Sequence, residues 1–304
     1  MDSVVIKNLK KNYGKILAVN DVSFSVKKGE IFGFLGPNGA GKTTTINCMC
    51  QLSSISSGTI KIEGFDVKKD YLDAKKQIGL SPQDIQFDPL FKIIDVLTYQ
   101  AGYFGMPVKK ATLRAEKLLK DFGLFEKRNQ TMRELSGGMK RKFSIIKALI
   151  HNPKILILDE PTAALDVDSR YEMWAFIKKV KKQGITIILT THYIEEAEKL
   201  SDRVAIINKG KLIKLDRTSK IIDDLSQNVI TIYFDEHIKM PFAIKKLKHK
   251  YVDKKLEITV SKKDQSKVLR ETLKIFEESN ISVQNFNVHQ DNLENIFRRL
   301  VNEK

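Results

Sequence analysis

Apolar positions along the chain change period several times, and each change predicts an element. Residues 31–35 form a short continuous apolar run that stops at Gly36-Pro37-Asn38-Gly39, and residues 43–51 then read as a helix. Two more continuous runs, 155–158 and 185–189, have the pattern of strands buried on both faces. Between them, 169–182 carries apolar residues at helical spacing and completes a strand-helix-strand unit. Such alternation predicts an α/β protein with a mainly parallel sheet covered by helices. Residues 84–150 differ, with helical patterns at 96–104, 113–122 and 139–150, as in a helical subdomain inserted into the sheet domain.

Beyond residue 217 the pattern changes again. Residues 228–234 and 255–260 alternate like strands, whereas 266–278 and 292–301 place apolar residues at helical spacing. Leu293, Ile296, Phe297, Leu300 and Val301 fall on one face of the last helix. The expectation is a first domain over 1–217 and a small C-terminal α+β domain over 220–304, the latter dimerising, regulating or capping the fold.

Length supports that division, because 304 residues hold about two domains at roughly 150 residues each. A 42% hydrophobic, 30% charged composition excludes disordered and collagenous classes. No apolar run approaches the roughly 18 residues that span a bilayer, and the first residues lack a secretory pattern, so a cytoplasmic chain is expected. Cys48 and Cys50 are too few for a disulfide framework and wrongly spaced for a zinc site or redox pair, and read as reduced thiols.

The net charge of +16 changes the picture only once it is located. Residues 221–304 carry 15 Lys+Arg against 13 Asp+Glu, leaving 38 against 24 in the first 220. Lysines dominate, 43 to ten arginines, and no cluster interleaves arginine with aromatic residues as base readers do. Solvated lysine faces are the first reading and an anionic membrane surface the second; no nucleic acid partner is expected.

Three segments carry chemistry. Gly36-Pro37-Asn38-Gly39-Ala40-Gly41-Lys42-Thr43 fits the GxxxxGK(S/T) phosphate loop and lies between a strand and a helix. Its glycines let backbone N–H groups turn toward phosphate oxygens, and the helix start adds its positive end. Lys42 reaches the β- and γ-phosphates, and the Thr43 hydroxyl ligates Mg²⁺. The run at 155–158 ends in Asp159 and Glu160: Asp159 is placed for Mg²⁺, and Glu160 to orient or deprotonate the attacking water. Leu135-Ser136-Gly137-Gly138-Met139 opens another helix, as either a capped helix start or a second anion site. If the helical insertion keeps it from the first phosphate loop, a second copy must supply the nucleotide, and a two-fold dimer then buries two ATP molecules.

Together these segments resemble the ATP-binding subunit of an ATP-binding cassette (ABC) transporter over residues 1–217, with its motifs in family order. The phosphate loop, Thr44 included, is similar to the Walker A motif, residues 135–139 to the signature motif and 155–160 to the Walker B motif. The resemblance implies a P-loop NTPase fold with a parallel-sheet core, an antiparallel β subdomain and a helical subdomain. Tyr13, placed before the first strand pair, resembles the adenine-stacking aromatic. Gln83 stands where the family's glutamine senses Mg²⁺ and links to the membrane partner. Ala164-Leu165-Asp166 resembles the D-loop, and His192 the switch histidine that contacts the γ-phosphate. Two departures stand out: Met139 replaces the commoner glutamine, and Ala164 a frequent Ser or Gly. Ser136, Gly137, Gly138 and Asp166 are retained.

The resemblance implies an ATPase that uses ATP and Mg²⁺, pairs with a second copy, and lies on the cytoplasmic face of the membrane against a separate integral-membrane permease. Residues 84–106, with Phe87, Leu90, Phe91 and Tyr103, resemble the surface that grips that permease. LSGGMKRK and Asp291-Asn292-Leu293-Glu294-Asn295-Ile296-Phe297 are similar to the drug- and antibiotic-exporter-like branch, which favours export, with an importer ATPase or a non-transport ABC ATPase as alternatives.

Overall fold

A computed structural model describes residues 1–85, 89–261, 264–289 and 292–302, so Phe87 and Asp291 lie outside the described residues. They form two compact units, Met1–Thr218 and Ser219–Lys304.

The first unit opens with a hairpin, β1 (Asp2–Tyr13) and β2 (Ile16–Lys27), followed by β3 (Ile31–Leu35) and α1 (Lys42–Met49). Tyr13 therefore ends the first strand of that pair, at the hairpin turn, and does not precede it: the positive φ of Gly14 lets the chain reverse directly after it. Next come β4 (Ser57–Ile62), β5 (Phe65–Asp66), α2 (Tyr71–Lys76) and β6 (Ile78–Ser81). Helices α3 (Ile93–Tyr103), α4 (Val108–Asp121) and α5 (Gly137–Leu149) lead to β7 (Ile155–Asp159). The unit closes with α6 (Val167–Lys181), β8 (Thr186–Thr191), α7 (Ile194–Leu200), β9 (Arg203–Asn208) and β10 (Lys211–Arg217).

A six-stranded sheet runs β10-β9-β3-β8-β7-β6, parallel from β9 to β6 with β10 antiparallel at one edge. Every residue of β3, β7 and β8 is buried, which explains their continuous apolar runs. Because side chains alternate across a strand, the same runs feed two cores. Leu156, Leu158, Ile187 and Leu189 pack with Phe143, Trp174 and the α3 to α5 helices, whereas Ile155, Ile157, Ile188, Phe32 and Phe34 pack with the hairpin and α1. That hairpin belongs to a four-stranded antiparallel sheet, β2-β1-β4-β5, and Phe24 of β2 stacks on Phe32 at 5.2 Å between ring centroids.

The apolar run at 185–189 understates β8, whose last residues, Thr190 and Thr191, are buried and polar. Thr190 stays in the ladder in register with Asp159, donating its hydroxyl to that carboxylate, and Thr191 pairs with Leu35 of β3.

The second unit begins in α8 (Thr218–Leu225) and continues through β11 (Gln227–Tyr233), α9 (Phe242–Lys245), β12 (His249–Val252), β13 (Lys255–Ser261), α10 (Gln265–Glu278), β14 (Asn285–His289) and α11 (Leu293–Asn302). Its antiparallel sheet runs β12-β13-β11-β14, the order of a split βαβ, ferredoxin-like unit. Ile230, Ile232, Leu256 and Ile258 meet Phe276 of α10 in its core. Among the described residues no helix is long and apolar enough to cross a membrane.

Candidate active site

Because β3, β6, β7 and β8 are parallel, their carboxyl ends lie on one edge of the sheet, where open α/β sheets bind ligands. The loop after β3 wraps tightly. A Cβ on Gly36 would stand 2.5 Å from the Ile207 carbonyl, and one on Gly41, at φ 103°, 2.6 Å from the Ala18 carbonyl. Gly41 precedes α1 with no side-chain cap, so the first N–H groups of the helix are left for a ligand.

Lys42 is buried, and its Nζ donates to the Gly36 carbonyl at 2.7 Å and the Pro37 carbonyl at 3.1 Å. Burial holds its pKa below the ordinary lysine value, against the pull of Glu160 and Asp159. Glu160 Oε1 is 4.0 Å from this ammonium. Thr43 Oγ1 donates to Asp159 Oδ2 at 3.3 Å, and the other Asp159 oxygen accepts from Thr190.

Glu160 leaves β7 at φ 49°, a left-handed conformation that costs of order 1 kcal/mol for a residue other than glycine. The turn is held by its N–H, which donates to the Thr190 carbonyl and hydroxyl, both at 3.1 Å. It carries the carboxylate to 3.2 Å from His192 Nδ1, just after β8. Asn38, Gly39, Gly41, Lys42, Thr43, Thr44, Gln83, Glu160, Ala164 and His192 line a cleft of about 560 Å³.

Other sequence-derived residues do not line that cleft. Tyr13 donates to or accepts from Ser53 Oγ at 3.0 Å, and Lys11 Nζ sits 4.6 Å from its ring centre. Ser136 caps α5, accepting from the Met139 N–H at 3.3 Å, and a Cβ on Gly138 would stand 3.7 Å from Ser169 Oγ. Met139 itself packs against the core of the helical subdomain. Asp166 caps α6 by accepting from the Ser169 N–H and hydroxyl, which lowers its pKa. Ala164, which does line the cleft, takes φ 60°, a left-handed region that favours glycine. Burial raises the pKa of both cysteine thiols, Cys50 to about 12.

One residue beside the site escaped the sequence reading. Arg141 of α5 is 4% exposed. Its guanidinium donates to the carbonyls of Pro82, Gln83, Asp159, Glu160 and Pro161 at 2.5–3.1 Å. A single side chain thus ties the signature helix to the Gln83 segment and the end of β7, in the forked geometry that suits arginine. The available signal was a cation in helical register with Ser144, Ile145 and Ala148, all buried.

A glycine cradle, a buried lysine and two acids ending one strand define a phosphate-transfer ATPase of the P-loop class. A family profile described as ABC transporter matches residues 19–163. The Linearmycin resistance ATP-binding protein LnrL of Bacillus subtilis (strain 168) is 36% identical over 300 residues, 97% of this chain and 96% of that protein. The Nod factor export ATP-binding protein I of Burkholderia orbicola (strain AU 1054) is 40% identical over 228 residues, 75% of each chain. A dimeric ATP-binding cassette solved in a post-hydrolysis state with ADP and Pi superposes with a TM-score of 0.63 at 27% identity, covering 70% of this chain and 98% of that one. The chain belongs to the ABC transporter family, as an ATP-binding and ATP-hydrolysing subunit.

Proposed function

We propose that two copies of the chain close on ATP and power export through a separate integral-membrane permease at the cytoplasmic face of the membrane. The observation that carries this reading is a division of labour. Phosphate loop, Glu160 and His192 converge on one cleft, while Ser136, Gly137 and Gly138 lie outside it. A second copy would present the latter three residues to the γ-phosphate.

In this reading Lys42 leaves the carbonyls of its own loop for the β- and γ-phosphates. Glu160 orients and deprotonates the attacking water, and His192 holds the γ-phosphate and the Glu160 carboxylate together. Gln83 reports on the site, and Tyr13 offers a ring for adenine. The donor set fits Mg²⁺: Thr43 and Asp159 are hard oxygen ligands already 3.3 Å apart, and a lone carboxylate suits an ion that brings phosphate and water ligands with it. When bound, the ion would neutralise charge on the β- and γ-phosphates.

Export is supported by the relatives, one a linearmycin resistance protein and the other a Nod factor export protein. Leu90, Phe91, Tyr99 and Tyr103 are exposed after Gln83 and offer the permease an apolar grip. The lysine excess of the first 220 residues favours an anionic membrane surface. Residues 220–304 are read as an accessory domain that regulates or dimerises. The test is purification of Glu160→Gln from native membranes with ATP. Recovery of a multi-span protein supports the reading; recovery of ribosomes, nucleic acid or no partner overturns it.

A further inference from the structure

Glu196, on α7, is a fully buried carboxylate that belongs to none of the sequence motifs. Its Oε1 accepts from Thr162 Oγ1 at 2.8 Å and from Trp174 Nε1 at 3.2 Å. Burial raises its pKa against the hydrogen bonds it accepts. The donors sit in informative places. Thr162 is two residues past Glu160, and Trp174 is on α6, the helix capped by Asp166.

Glu196 adds a side-chain anchor to those that Thr190 and Arg141 already give Glu160. Glu160 is in a left-handed conformation beyond the last rung of β7, and Pro161 has no N–H with which to fix the chain. Thr162 is the next side chain that ties this turn down from its C-terminal side. A site built only for stability would favour an apolar side chain of the same volume over a buried carboxylate. Here Glu196 Oε2 and, nearby, Arg170 Nε are buried without hydrogen-bond partners, while the Arg170 guanidinium lies 4.4 Å over the Tyr193 ring, beside His192.

We propose that Glu196 is a positioning residue for ATP hydrolysis, tying Thr162 to Trp174 so that the turn carrying Glu160 holds that carboxylate at the γ-phosphate. The proposal rests on the reading of Glu160 given above. Its effect is confined to turnover, since no phosphate-binding residue touches Glu196 in this arrangement.

The test uses the full chain with Glu196→Met, Glu196→Gln, Thr162→Val and Glu160→Gln, following thermal melting, ATP affinity by calorimetry and steady-state kcat and KM. Glu196→Met should stay folded and bind ATP within about threefold of wild type, but lose about tenfold to a hundredfold in kcat through misplacement of the reacting groups. Glu196→Gln, which keeps an acceptor oxygen, should restore most of the loss, and Thr162→Val should fall between wild type and Glu196→Met. Wild-type kcat in folded Glu196→Met, a parallel loss of ATP affinity, or failure of glutamine to rescue would overturn the proposal. Should Glu196→Met not fold, Thr162→Val decides: a lowered kcat with intact affinity supports it and wild-type kcat overturns it. Full turnover in Glu160→Gln would instead sink the underlying catalytic reading, so the two failures are distinguishable.

Discussion

Two glycine-bearing segments open helices in the first unit, and they are chemically unequal. The loop before α1 has no side-chain cap and is met by Lys42, Asp159 and Glu160 from neighbouring elements. The segment before α5 is capped by its own serine, and no residue of it lines the cleft. A helix start alone is thus a weak anion site; convergence of charged groups makes it a strong one. In the proposed dimer, the second segment would gain that convergence when another copy brings a phosphate to it.

Substitutions that separate the two segments sharpen this contrast. Lys42→Ala should have the largest effect, raising the ATP dissociation constant about a hundredfold, roughly 3 kcal/mol, since a charge-assisted phosphate contact is removed. Calorimetry on the isolated chain checks it, and unchanged affinity would break the contrast. Glu160→Gln should keep that affinity while losing about a hundredfold in turnover, because water activation goes and phosphate contacts stay. Size-exclusion with ATP should show it accumulating as a dimer.

Gly138→Ala should be silent in the isolated chain, because the added methyl meets nothing closer than 3.7 Å. Melting temperature and ATP affinity stay unchanged, whereas dimer turnover drops about tenfold through lost close approach to phosphate. A weakened affinity in the isolated chain would show that this segment serves its own cleft.

The smallest effect concerns the far end of the signature helix. His151, just past α5, stacks on Phe104 at 3.7 Å between centroids and bonds the Ile78 carbonyl at 3.0 Å, and burial lowers its pKa to about 4. Its contribution is therefore complete above about pH 6.5, the ordinary histidine value, and is lost as pH falls toward 4. Partial solvent contact reduces the effect to roughly 1 kcal/mol. His151→Phe should flatten that stretch of the melting-temperature curve relative to wild type; an identical slope would count against the assignment.

Much of this could be read from the sequence. Strands β3, β7 and β8 were legible because burial on both faces writes a continuous apolar run. The phosphate loop and the acid pair were legible because each is contiguous, with glycine, lysine and carboxylates at fixed spacing. The ends of elements were harder, since Asp159 and Thr190 are polar residues kept in strands by one another.

Local spacing determined which residues carry chemistry, because a phosphate cradle and a strand-end carboxylate are properties of a few consecutive residues. Only the tertiary structure decided which distant groups meet. Arg141 reaches five carbonyls from two segments, and Glu196 joins Thr162 to Trp174 across three elements. Such contacts depend on strand order and helix placement, which no run of neighbouring residues encodes. The same holds for the signature segment, whose residues spell an anion site while the fold turns them away from the cleft of their own chain.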